Sequence, residues 1–123
     1  MTRKVLVLGV ALAVTAVLTT AALAGHASTP TLVGADGPGF TITLKTTSGK
    51  TVKTLKAGTY KFVIHDKSSI HGWSLDGPHG FAKDIAAISA VSTKTVTLKL
   101  KAGKYKFYCP NHESMMFGHF TAK

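Results

Sequence analysis

Disulfide stabilisation is excluded at once, because the 123-residue chain has a single cysteine, Cys109. One thiol cannot form an internal bridge, so the fold must rest on its hydrophobic core. Acidic residues are scarce too: 5 Asp and Glu stand against 15 Lys and Arg, for a formal net charge of +10. That balance favours acidic partners. Nucleic acid is not implied, since Lys45, Lys50, Lys53, Lys56, Lys61, Lys99, Lys101, Lys104 and Lys106 are dispersed at strand-like spacing rather than clustered. Helix-period apolar patterns are nearly missing beyond residue 39, which argues against a helical bundle.

What is present begins with MTRKVLVLGVALAVTAVLTTAALAG. Arg3 and Lys4 precede an uncharged apolar run from Val5 to Ala24, and Ala22 and Ala24 form an A-x-A cleavage signal before Gly25. Residues 1–24 therefore read as a signal peptide, which places the mature chain in the periplasm, the cell envelope or outside the cell. An uncleaved N-terminal anchor is the competing reading, because the run approaches the roughly 20 residues that span a bilayer. No cysteine lies near the site to carry a lipid. Loss of Arg3 and Lys4 leaves 13 basic against 5 acidic residues, a net +8 on one small domain. Residues 25–38, rich in Gly, Ser, Thr and Pro, read as a flexible leader, and 39–123 as the folded domain, expected to be monomeric.

Within that domain the apolar period is two. Phe40, Ile42 and Leu44 alternate with Thr41, Thr43 and Lys45; Tyr60, Phe62 and Ile64 line one face of a strand, as do His71, Trp73 and Leu75, and Val96, Leu98 and Leu100. Residues 76–90 are ambiguous between a helical turn and an irregular edge. LKAGTYKF at Leu55 to Phe62 returns as LKAGKYKF at Leu100 to Phe107, which reads as one hairpin device used twice. Seven or eight short strands with turn signals every 8 to 12 residues predict an all-β Greek-key sandwich or barrel.

The densest chemistry lies near the C-terminus, in YCPNHESMMFGHF from Tyr108 to Phe120. Tyr105, Phe107 and Cys109 share a strand face, so the thiol points inward with the two aromatics. Counting back from Phe120, Met116 shares the core parity, while Met115, Phe117 and His119 point the other way. Soft thiolate and thioether donors favour copper, and imidazole suits both of its oxidation states. Cys109, His112 and Met116 sit on one loop; a second histidine must come from elsewhere.

The pattern Y-C-x-x-H-x-x-x-M-x-G-x-F between two strands resembles the C-terminal copper loop of the cupredoxins, the blue copper family of plastocyanin and azurin. The likeness covers about Phe40 to Ala122. It implies a cupredoxin-like fold, one copper ion cycling between Cu(I) and Cu(II), and a non-enzymatic carrier of single electrons between protein redox partners. It also assigns the remaining ligand to His71, in DKSSIHGWSLDGPHG, and so implies His71, Cys109, His112 and Met116 as the metal set. Two departures are visible. Gly72 stands where the family carries an asparagine that ties the two ligand loops together. Pro110 has no N–H to offer the sulfur, which leaves Asn111 as the nearer donor.

The other histidines have plainer readings: His26 in the leader, His65 exposed or supporting, His79 in a Gly-Pro loop as a substitute for His71, and His119 pointing to solvent. Met115, Phe117 and Trp73 are expected to form an apolar patch around an exposed histidine edge. Copper handling, as a chaperone or scavenger with the same ligands, is the alternative function, although only 3 methionines, the initiator included, give no Met-rich tail. A structural zinc site is a third reading, to which a thioether would add nothing.

Overall fold

The period-two patterning becomes nine strands in the computed structural model, which describes residue 22 and residues 25–123. The expected signal peptide falls, apart from residue 22, outside the described residues. No described helix is long and apolar enough to cross a membrane. In chain order the strands are β1 (Thr31–Asp36), β2 (Ile42–Thr46), β3 (Thr54–Leu55), β4 (Gly58–Asp66), β5 (Trp73–Asp76), β6 (Ala82–Ala86), β7 (Ser92–Leu100), β8 (Gly103–Tyr108) and β9 (Phe117–Ala122). One sheet has the order β2-β1-β4-β7 and the other β3-β9-β8-β5-β6.

The core lies between the sheets. Leu32, Leu44, Phe62 and Ile64 face inward from the first, and Trp73, Leu75, Phe107 and Phe120 from the second, all nearly inaccessible to solvent. Each such burial contributes about 1.5–3 kcal/mol. Trp73 stacks on Phe107 with ring centroids 5.4 Å apart and planes at 2°, and Phe62 approaches it from the opposite sheet at 6.4 Å.

Two expectations need correction. Residues 25–38 are not a leader throughout: β1 pairs antiparallel with β2 and parallel with β4, inside its sheet. Its inward positions are Leu32, Gly34 and Asp36, and a glycine and an acid conceal the alternation from an apolar count. Phe40 is not part of a strand face; β2 starts at Ile42, and Phe40 stays 53% exposed. The ambiguous 76–90 stretch resolves as the end of β5, a 3-10 turn at Pro78–Gly80, and β6, which is the edge strand of its sheet and pairs with β5 through a shifted register, so the irregular-edge reading holds.

The repeated octapeptide is also not a hairpin. The first copy carries the chain from β3 to β4 and the second from β7 to β8, and each pair belongs to opposite sheets. Both copies are arches over the edge of the sandwich. In each, the tyrosine hydroxyl donates to the lysine carbonyl four residues earlier, Tyr60 to Lys56 at 2.6 Å and Tyr105 to Lys101 at 2.9 Å, a corner bond known from other Greek-key sandwiches. Gly58 pairs with Leu100 across β4 and β7, so the arches meet at one end of the molecule. The strands they open, β4 and β8, both run to the other end.

Candidate metal centre

At that far end β8 delivers Cys109, and the chain winds through tight turns before β9. His112 N–H donates to Cys109 O at 3.1 Å, Met115 and Met116 N–H both donate to His112 O at 3.0 and 2.8 Å, and Cys109 N–H closes the loop on Met116 O at 3.0 Å. These bonds fix the spacing of cysteine, histidine and methionine through the backbone alone. β4 leads into the 67–72 segment, where His71 N–H donates to Ser68 O at 3.3 Å.

The two segments bring three donor atoms together. His71 Nδ1 and His112 Nδ1 stand 3.1 Å apart, and each is close to the Cys109 sulfur, at 3.9 and 3.8 Å. Bond lengths of about 2.0 Å to imidazole and 2.3 Å to thiolate, as at zinc, would set donors around a trigonal ion about 3.5–3.7 Å apart. The observed triangle suits one small soft ion. His71 Nε2 lies 2.7 Å from Gly39 O; donating there fixes the tautomer and leaves the Nδ1 lone pair facing the sulfur. His71 and Cys109 are fully buried, and His112 is half-buried.

Met116 is 1% exposed and Met115 61%, as the strand parity requires. Met116 and Cys109 are both buried outside the main hydrophobic cluster.

The sulfur receives its N–H from a residue that was not expected to supply it. Gly72 N–H points at Cys109 Sγ at 3.5 Å, whereas Asn111 donates its side-chain amide to Ile70 O at 3.1 Å. Asn111 thus joins the two ligand loops, the task that an asparagine after the first histidine would otherwise perform. Gly72 has a steric reason to be glycine: a Cβ there would sit 2.7 Å from Ala86 O.

The apolar surround differs from expectation in one member. Trp73 is not at the rim; it is wholly buried in the core. Phe40 takes that place, edge-on to His112 with centroids 5.0 Å apart and tilted against His71 at 5.5 Å. Ile70 at 51% and Phe117 at 47% are exposed as well. Phe40 was missed because its parity with Ile42 and Leu44 made it look like core; the glycines flanking Pro38 were the available sign that the strand had not begun.

Among the remaining histidines, none joins the cluster. His65 Nδ1 is 3.1 Å from Thr93 Oγ1, His119 packs edge-on to Phe117, and His26 and His79 are exposed.

Two face-to-face sheets with donors gathered on loops at one end define the cupredoxin fold, and this chain has it. Solved structures it is similar to include several of rusticyanin. A methionine-to-glutamine variant of rusticyanin superposes with a TM-score of 0.56 at 20% identity, over 80% of each chain. Rusticyanin from Thiobacillus ferrooxidans gives 0.52 at 22% identity, over 80% of this chain and 79% of that one. A third, described as the copper protein rusticyanin, gives 0.54 at 22% identity. No protein-family model and no curated protein matches the sequence.

Proposed function

We propose that this chain is an exported type 1 (blue) copper protein that carries single electrons between protein partners in the cell envelope. The observation that carries the reading is the convergence of one sulfur and two imidazole nitrogens within 4.8 Å of one another, from loops joined by Asn111. In this reading His71, Cys109 and His112 would hold the ion, and Met116 would offer it a weaker thioether donor. Such a set accepts Cu(I) and Cu(II) alike, so the ion supplies a one-electron couple that needs little rearrangement.

The protein's own contribution is to hold these donors still and dry. Gly39 O orients His71, the Gly72 N–H stabilises negative charge on the sulfur, and Phe40 shields both imidazoles. The half-buried His112 is where electrons would enter and leave. Copper handling is the weaker reading, because the cross-tied loops and two buried donors favour keeping an ion over passing it on. Export and a periplasmic or extracellular location rest on the N-terminal pattern, and the +8 mature charge favours acidic redox partners.

The test is to add Cu(II) to the purified protein and look for an intense visible thiolate-to-copper band. Cys109→Ser should abolish it and leave a folded β domain; a full-strength band in that variant sinks the reading. Met116→Leu should keep the colour and raise the reduction potential, because a thioether donates more to the electron-poor Cu(II). Met115→Leu should leave the potential nearly unchanged, and the reverse order in potentiometry would make Met115 the axial ligand.

A further inference from the structure

Five acids serve this chain, and two of them are spent where an acid is least expected. Asp36 ends β1 and Asp66 ends β4, and the parallel register sets them side by side. Both face the interior, 0% and 2% exposed. Both Asp36 oxygens and one Asp66 oxygen find no hydrogen-bond donor; the other Asp66 oxygen accepts the Ser68 N–H at 3.1 Å.

Among the described residues no cation pairs with them. The charged or titratable groups on the surrounding elements are Lys67 and His71 from the segment after β4, His65 on β4 and Lys94 on β7, while β2 sets the uncharged Ile42 opposite Asp36. None pairs with either carboxylate, since the one ion pair among the described residues is Lys106 with Glu113. Two adjacent buried carboxylates without a counter-ion cannot both stay ionised. One proton between them removes the conflict, for it turns one oxygen into a donor and satisfies its neighbour. Burial first, then the hydrogen bond and charge of Asp66, push Asp36 up to about 7.

The pair sits at the root of both segments that hold His71. From Asp36 the chain passes through Gly37 to Gly39, whose carbonyl meets His71 Nε2 at 2.7 Å, and a Cβ on Gly37 would lie 3.6 Å from the His71 ring. From Asp66 it passes through Ser68 to His71 itself, and Lys67 N–H crosses back to Asp36 O at 3.1 Å.

We propose that Asp36 and Asp66 share one proton, and that this acid–carboxylate bond is a positioning device that locks together the two segments orienting His71 and releases them when the proton leaves. The proton bond stands on its own geometry; its importance for a metal ligand rests on the copper reading.

The deciding experiment is a carboxyl and amide NMR titration of the metal-free protein. In the wild type, one carboxyl of the pair should keep its proton well above the ordinary carboxylate range, and the amide signals of Gly39, Phe40 and Ser68 should move at the same midpoint. Asp36→Asn, which retains a donor and an acceptor, should hold those amides at their low-pH positions throughout, and Asp66→Asn gives a second, independent variant. Ionisation of both carboxyls within the ordinary carboxylate range overturns the shared proton. A delayed ionisation that leaves Gly39 and Phe40 unmoved overturns the positioning role.

A second arm loads the same proteins with Cu(II). The visible band of the wild type should shift through the same pH step, and that of Asp36→Asn should not. A band that ignores the step in the wild type overturns the link to His71. Failure to take up copper at all overturns the functional assignment alone, since the metal-free titration decides the proton bond.

Discussion

The two copies of L-K-A-G-x-Y-K-F are nearly identical in sequence and alike in structure, yet their strands end in opposite chemistry. Each arch crosses from one sheet to the other and closes with the same tyrosine-to-carbonyl bond. Each contributes its phenylalanine, Phe62 or Phe107, to the same tryptophan. Beyond that point β4 runs to Asp66 and the buried acid pair, while β8 runs to Tyr108 and the thiol of Cys109. The shared portion is scaffold, and the divergent tips carry the site. A repeated local sequence fixes a local geometry in either sheet; function depends on what the strand reaches after leaving it.

The strongest way to break this comparison is at the contact the two copies have in common. Trp73 is wholly buried between Phe62 and Phe107, so Trp73→Ala should cost about 3–5 kcal/mol in denaturant unfolding. A loss below about 1 kcal/mol would mean that the copies stabilise their sheets independently.

A second measurement separates the two tips. Asp36 rises from 3.8 to about 7, so between those values the folded state holds a proton that the unfolded state has released. Stability is then fully present below about pH 4 and falls as the pH climbs to about 7, by about 4 kcal/mol at most. Asp36→Asn should flatten the unfolding profile across that window, whereas Cys109→Ser, at the other tip, should leave its slope alone. A wild-type profile that rises with pH over the same range would contradict the assignment.

The sequence was most readable where burial is apolar and periodic. Tyr60, Phe62, Ile64, Tyr105, Phe107 and Phe120 lie inward as their alternation requires, and the spacing from Cys109 to Met116 marks the loop that the structure folds into tight turns. Where inward positions are not apolar, the pattern fails. Gly34 and Asp36 concealed β1, and Asp66 gave no sign of its pairing with Asp36, because a parallel register between distant strands leaves no trace in local spacing. Trp73 and Phe40 exchanged their expected places for a related reason: period two gives the face of a residue within a strand but not where the strand begins. The arches read as hairpins in the sequence because a turn signal is the same whether the chain returns to its own sheet or crosses to the other one.

The finest test of the comparison is the pair of corner hydroxyls. Tyr60→Phe and Tyr105→Phe each delete one hydrogen bond and almost no volume, so each should cost about 1 kcal/mol. Two features pull in opposite directions. The Tyr60 bond is the shorter, at 2.6 against 2.9 Å, which favours a larger loss there. Tyr105 is the more deeply buried, 2% exposed against 9%, which favours a larger loss at the second corner. Lys56 and Lys101 are both exposed, so water can reach the carbonyl left behind in either variant and keep the cost near the lower end of the range. Near-equal losses are therefore expected, with the double variant equal to their sum, because the two hydroxyls share no partner. A double variant that falls well short of additivity would show that the arches are coupled where Gly58 meets Leu100, and that the repeated sequence forms one structural unit rather than two.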